Sequence, residues 1–300
     1  MKKVFKWIGI VLGSLVGLVV ISVLTLFMMG NARLNKTYDF PPSNLTIPTD
    51  AESIAHGQHI AESLCEGCHS PDLSGISNWF DGGPLGTIDS ANLTSGNGGV
   101  GQTFTDEDFV RAIRHGIDPT GKPTFMPAVV STSHMSDEDL ADVIAFVKSV
   151  PPVDHMTYGK QFTPLAKIMF AVGVLPPFPV EVVSHETHVT APTPAVTVEY
   201  GSYLVDTHDC HVCHGQNMNG GKFPDPTIKL ITPNLTQGGD LSAWTEADFL
   251  NTLKTGVTLR GHQLSDNMPW KEFSHMTDDE LKAIWMYLQS LPKLPQYTNN

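Results

Sequence analysis

Cysteine is scarce in this chain, with four residues in 300. That excludes a disulfide-dense secreted scaffold, where many bridges replace a hydrophobic core. Charge is scarce too, at 16% of residues, and cations are scarcest: 18 Lys and Arg against 31 Asp and Glu. The first 36 residues hold Lys2, Lys3, Lys6, Arg33 and Lys36 and no acid, so the rest carries 13 basic against 31 acidic side chains. Such a body repels nucleic acid and favours partners with a basic docking face. Strand signals are missing as well, because no convincing alternation of apolar and polar residues appears.

One run lacks charge altogether. From Trp7 to Ala32 there is no ionisable side chain, more than the roughly 20 apolar residues that cross a bilayer. A signal-peptide core is only about 7–15 residues long, so residues 1–36 are expected to be an uncleaved anchor. The "GNA" before Arg33 supplies the alternative, a small-residue cleavage site. Charges on both sides of the span give only a slight bias toward a cytoplasmic N-terminus.

What the chain does have, it has twice. "GQHIAESLCEGCHSPDLSG" from Gly57 matches "GSYLVDTHDCHVCHGQNMNG" from Gly201, and "ANLT" from Ala91 matches "PNLT" from Pro233. "FTDEDFVRAIRHG" from Phe104 matches "WTEADFLNTLKTG" from Trp244, and "HMSDEDLADVIAFVKSVPPV" from His134 matches "HMTDDELKAIWMYLQSLPKL" from His275. The offset drifts only between 140 and 145 residues, which marks a duplicated domain rather than a solenoid. Residues 50–153 and 199–295 are the expected domains. Residues 154–198, rich in proline and threonine, are the expected linker. Within it "PLAKIMFAVGVLPPFPV" is apolar but too short to span a membrane. It is expected to be a strap packed on the two domains, with contact to a membrane surface as the alternative.

The coarse secondary structure is all-α with long loops. Thr105 with Asp108, Thr245 with Asp248, Ser136 with Asp139 and Thr277 with Glu280 have the spacing of a helix N-cap and its reciprocal acid. Phe104 with Phe109, and Trp244 with Phe249, sit where a hydrophobic staple would, and Gly116 and Gly256 close those helices. Leu140, Val143, Ile144 and Val147, like Leu281, Ile284, Trp285 and Leu288, have the spacing of one buried helical face.

All four cysteines fall in "CEGCH" and "CHVCH". A redox Cys-x-x-Cys needs a βαβ context and no histidine, and a zinc site would have to pair motifs about 145 residues apart. Cys-x-x-Cys-His is the attachment signal of c-type haem. Two thiols reach two vinyl groups of one porphyrin, and the short turn places the next imidazole under the iron. Cys65 and Cys68, then Cys210 and Cys213, are therefore expected to hold two covalently attached haems, with His69 and His214 as fifth iron ligands.

These motifs and their matched loops resemble the class I cytochrome c family in a duplicated, di-haem form. The chain looks like the cytochrome c subunits of membrane-bound bacterial dehydrogenases, over about residues 50–153 and 199–294. The resemblance implies haem attachment outside the cytoplasmic membrane. The chain would then be a single-pass protein of the bacterial inner membrane, with its N-terminus inside and its haem domains periplasmic. It also implies that the first and last helices of each domain cross where a small residue meets an aromatic one, here Gly57 with Phe146 and Gly201 with Tyr287. Subunits of this kind typically carry three haems, whereas this chain has two.

The sixth iron ligand decides between electron transfer and chemistry at an open iron. Met126 in "FMPA" and Met268 in "NMPW" lie between the middle and last helices, before a proline that restricts the loop, where the resembling family places its ligand. His262 is the rival for Met268. Met135 and Met276 also recur, and are expected to pack on Leu140 and Leu281 as staples. Met218 is expected at the surface or in local packing, and His185, His188, His208 and His211 as solvated polar residues. Asn92, Thr94, Asn234 and Thr236 sit in glycine-rich loops, either bonding haem propionates or simply suiting the turns. Arg114 and Lys254 face either a propionate or solvent.

The expected function is a membrane-anchored di-haem electron carrier. It would pass single electrons from a dehydrogenase or quinol-oxidising complex to a downstream cytochrome or oxidase. The alternative is a di-haem peroxidase or oxidase with one open iron.

Overall fold

A computed structural model describes residues 2–223 and 228–298. The charge-free N-terminal run lies in helix α1 (Lys2–Leu34), the one helix among the described residues long and apolar enough to cross a bilayer. None of its most apolar stretch is buried against the protein.

In the first repeat, helix α2 (Ala51–Leu64) starts where the Asp50 carboxylate accepts the Ser53 N–H at 3.0 Å. Helix α3 (Glu66–His69) follows Cys65 directly. Strands β1 (Phe80–Asp81) and β2 (Gly86–Ile88) lead to helix α4 (Asp106–Val110). It opens on the expected reciprocal cap of Thr105 and Asp108, with the Phe104 and Phe109 rings edge-on at 5.3 Å. Beyond Val110 the helix widens into a π turn over Arg111–His115 and stops at left-handed Gly116, φ 71°. Helix α5 (Val129–Thr132) follows the Met126 loop, and helix α6 (Asp137–Ser149) buries the whole expected stripe of Leu140, Val143, Ile144 and Val147.

The connecting segment begins with strand β3 (Lys160–Phe162), which pairs antiparallel with β2, and continues as helix α7 (Pro164–Ala171). The second repeat comprises α8 (Val198–Thr207), α9 (Cys210–His214), the two-stranded β4 (Gly221–Lys222) and β5 (Ile231–Thr232), α10 (Glu246–Thr255), α11 (Trp270–Phe273) and α12 (Asp278–Ser290). The strands, two or three residues each, are too short to show alternation in sequence.

Each repeat is built on a crossing of its first and last helices. A methyl group on Gly57 would overlap the backbone carbonyl of Asp142, and one on Gly201 that of Ala283, so the two pairs of helices touch backbone to backbone. The aromatics Phe146 and Tyr287 stand one turn further along, against the core clusters.

The strap expected to bridge both domains packs on the first domain and on the foot of α1. Phe170, Phe178 and Val180 are buried with Ile117 of the first domain, and Leu34, Tyr38, Phe40 and Phe125 close the cluster. The two domains meet directly. His59 bonds Glu280 at 2.9 Å, and Tyr203 accepts the Ser136 N–H at 2.9 Å while donating to Asp139. Asp139 therefore serves the domain contact instead of the reciprocal cap expected with Ser136; only the Ser136 half, accepting the Asp139 N–H at 3.1 Å, is made.

Candidate functional site

The two pentapeptides occupy equivalent turns. Helix α2 ends as the Cys65 N–H donates to Ala61 O at 2.7 Å, and the next turn closes with the Cys68 and His69 N–H groups donating to Cys65 O at 3.1 and 2.9 Å. Each histidine is then held twice. The His69 carbonyl accepts the Gly75 N–H at 2.8 Å, and its ring Nδ1 bonds Ala91 O at 2.8 Å. The His214 carbonyl accepts the Gly220 N–H at 2.9 Å, and its Nδ1 bonds Pro233 O at 2.9 Å. A carbonyl oxygen only accepts, so Nδ1 carries the proton and Nε2 keeps its lone pair, the tautomer a metal-bound imidazole needs. Burial lowers both histidine pKa values and keeps the rings neutral. Gly75 (φ 80°) and Gly220 (φ 75°) let the loops carrying Ala91 and Pro233 come close, since a side chain at either would collide with that backbone.

The thiols suit covalent attachment rather than metal ligation. Burial pushes Cys65 up to about 12 and Cys210 up to about 12; burial, with the charges of Asp209 and Glu272, pushes Cys68 up to about 11. Among the described residues no group of three or more His, Cys, Asp and Glu converges to hold a metal ion. Half-buried thiols paired beside a histidine with a free Nε2 fit a porphyrin iron, which brings its own four nitrogens.

Asn92 and Asn234 bond protein carbonyls. The Asn92 Nδ2 donates to Val153 O at 2.8 Å and His155 O at 3.2 Å, and its Oδ1 accepts from the N–H and hydroxyl of Thr94 at 3.0 and 2.8 Å. Asn234 does the same with Leu294 O at 2.7 Å and with Thr236. These fully buried asparagines clamp the histidine-holding loop to the chain leaving the last helix, a role the sequence does not disclose.

The candidate sixth ligands lie in matched loops. Two short hairpins, bridged at Ile117 with Pro123 and at Val257 with Gln263, precede Met126 and Met268. Met126 is half-buried beside Phe125, and Met268 packs against the core of its domain. His262 is exposed on the returning arm of its hairpin, where its carbonyl accepts the Thr258 N–H at 2.9 Å. Met135 and Met276 are buried with Leu140 and Leu281, as a staple requires.

Met218 takes the packing alternative: it is 1% exposed and stands in the place of Leu73, both with φ 55°, and their carbonyls accept from Leu235 and Leu93. Several polar expectations are overturned. Arg114 is fully buried, pairing Asp137 at 2.6 Å and donating to Met135 O and Thr187 O, so it clamps the strap. Its counterpart Lys254 makes the analogous pair with Asp278 at the surface. His208 is buried, with its Nε2 3.3 Å from the Ser63 hydroxyl across the domain contact, and burial lowers it to about 4. His211 is half-buried against Asp206 at 3.1 Å. His185 stacks on Phe40 at 4.0 Å, and His188, though exposed, bonds Asp137.

Two family models match. Residues 52–147 match "Cytochrome C oxidase, cbb3-type, subunit III", and residues 198–292 match "Cytochrome c".

Both repeats are cytochrome c domains.

The di-haem cytochrome is 28% identical to the cytochrome c subunit of the quinone alcohol dehydrogenase of Gluconobacter oxydans, over 83% of this chain and 57% of that protein. It is likewise 28% identical to the fructose dehydrogenase cytochrome subunit of Gluconobacter japonicus, over 82% of this chain and 55% of that one. A di-haem c-type cytochrome of Cereibacter sphaeroides is 27% identical over 77% of this chain and 82% of its own length. The chain thus spans little more than half the length of the dehydrogenase subunits it matches. It is an electron-transfer cytochrome with two covalently bound haem c groups, one per domain, and its N-terminal helix fits membrane anchoring.

Proposed function

We propose that this cytochrome is held in the bacterial inner membrane by α1, with both haem domains on the periplasmic side. It would carry single electrons from a dehydrogenase or quinol-oxidising complex to a downstream cytochrome or oxidase. Cys65 and Cys68 attach the first haem and Cys210 and Cys213 the second. His69 with Met126, and His214 with Met268, are the axial ligands. When bound, the haem supplies a one-electron iron couple, which a methionine ligand pitches toward higher potential. The chain contributes a buried neutral imidazole with its donor nitrogen freed, and a loop that presents a sulfur.

The observation that carries this reading is the repetition of the complete histidine clamp. Both rings are fixed by the same carbonyl position, the same glycine and the same asparagine, and each repeat keeps a Met-Pro loop. An enzyme would be expected to open one of its two irons. The domain contact supports transfer inside the chain: Gly67, between Cys65 and Cys68, packs on Glu272, and Glu272 lies in α11, directly after the Met268 loop. The quinone dehydrogenases named for the relatives suggest the class of donor. The acidic body suits weak docking on a basic partner face.

Reductive titration of the haem-loaded protein should take up two electrons per chain, in two one-electron steps, with no turnover of added hydrogen peroxide. Sustained peroxide turnover would replace the carrier reading with the peroxidase one.

A further inference from the structure

The apolar strap segment is the one sequence feature that two haem domains and an anchor leave without a role. Its place against α1 defines that role. A methyl group on Gly30 would overlap the Lys167 carbonyl, so α7 and the foot of α1 touch backbone to backbone. Arg33 reaches over α7, donating to Phe170 O at 2.8 Å and forking onto Glu181 at 3.1 and 2.5 Å. Lys167 donates to the Asn31 side chain at 2.9 Å, and its ammonium lies 5.2 Å from the centre of the Phe27 ring.

Helix rise fixes the height of this contact. At about 1.5 Å per residue, the apolar run from Trp7 to Phe27 is roughly 31 Å long, about the thickness of a bilayer's hydrocarbon core. Phe27 then stands at the outer edge of the core, and Asn31, Arg33 and Lys167 stand at the level of the lipid headgroups. Helix α7 and the turn after it lie at that same level. They hold out Leu165, Val172 and Val174, which are 47%, 51% and 64% exposed. Three apolar side chains beside the exit point of a membrane span, with two cations among them, match the composition of an interfacial segment.

We infer that the strap around α7 is a second membrane contact, in which Leu165, Val172 and Val174 enter the headgroup–acyl boundary of the leaflet where α1 emerges. The occupant of this face is the phospholipid bilayer. The inference rests on α1 spanning that bilayer. Its consequence is a fixed geometry rather than a loose tether. The buried faces of Phe170 and Phe178 pack on Phe125, the residue before Met126, at ring separations of 6.3 and 6.2 Å. The first domain therefore stands on the membrane through the base of its own methionine loop.

The test uses the full-length, haem-loaded protein alone in phosphatidylcholine–phosphatidylglycerol vesicles. The native cysteines are consumed by haem, so a spin label can be placed singly at V174C or, as a water-exposed control, at D279C. The label at 174 should favour collisions with oxygen and be about tenfold less accessible than the control to a water-soluble nickel chelate, as expected for an interfacial site. Nickel accessibility equal at the two positions overturns the inference, as does protection that appears only in native membranes, where a protein covers the face. Release of the chain by alkaline carbonate overturns the span itself, and the inference with it.

Discussion

Removing the Asn92 side chain tests whether the histidine clamp is what positions the His69 ring, the proposed iron ligand. Asn92 is fully buried, and its carboxamide makes four hydrogen bonds: two donated to Val153 O and His155 O and two accepted from Thr94. In Asn92→Ala, Val153 O keeps the Thr94 hydroxyl at 3.2 Å, but the His155 carbonyl and the Thr94 N–H lose their partners. Net bonds are worth about 0.5–1.5 kcal/mol each and orphaned buried groups cost about 1–3 kcal/mol, so the expected loss is about 2–4 kcal/mol. For a domain of this size that is roughly 10–20 °C in the thermal midpoint. The loop released is the one whose Ala91 carbonyl holds the His69 ring. The potential of the first haem should therefore move as well, while that of the second should not. Thermal unfolding and a redox titration of the variant read both effects. A stability within about 0.5 kcal/mol of the parent protein, or equal shifts in both potentials, would refute the clamp.

Other perturbations follow from the same packing. Gly57→Ala and Gly201→Ala should each destabilise by about 1–3 kcal/mol through overpacking of the helix crossing, whereas Gly9→Ala, with open space around it, should not change the melting curve. Arg114→Ala should cost about 3 kcal/mol by taking the cation from Asp137 and the donor from the Met135 and Thr187 carbonyls, while Lys254→Ala at the equivalent exposed pair should leave the midpoint unchanged. Glu280 raises the His59 pKa above its ordinary 6.5; against burial, which pushes it up, His59 and Thr277 hold Glu280 below 4.5. The His59 contribution is complete below pH 6.5 and fades as pH rises through its raised value, and the Glu280 contribution is complete above 4.5 and fades below it. His208, lowered to about 4, works the other way and withdraws stability as pH falls below 6.5. Calorimetry from pH 6 to 8 should therefore show a falling midpoint that Glu280→Gln flattens; an unchanged slope would mean the pair does not support the domain contact.

Local signals were legible wherever residues a few positions apart act on each other. The reciprocal caps of α4, α10 and α12, the Phe104–Phe109 staple and the left-handed Gly116 and Gly256 depend on neighbours along one helix, and the duplication doubled each signal. Burial set by distant chain was not legible. Arg114 and Lys254 occupy equivalent positions, yet the strap covers only the first, and nothing near Arg114 in sequence announces residues 178–189. His208 looked solvated because the residue that covers it, Ser63, lies 145 positions away. The surface and packing readings of Met218 could not be told apart because its counterpart is a leucine, an exchange of shape at a position whose backbone, at φ 55°, is the shared feature. The asparagine clamp hid for a related reason: asparagine suits turns everywhere, and only the carbonyls of Val153 and Leu294 show what these two hold.

The central claim is that two methionine–histidine irons make this chain a carrier, and the oxidised optical spectrum of the full-length, haem-loaded protein tests it most directly. The weak far-red band of methionine sulfur on ferric haem should be present, and Met126→Ala and Met268→Ala should each remove about half of it. A band absent from the unmutated protein, or already at half strength, would mean that at least one iron lacks its methionine and would contradict the account.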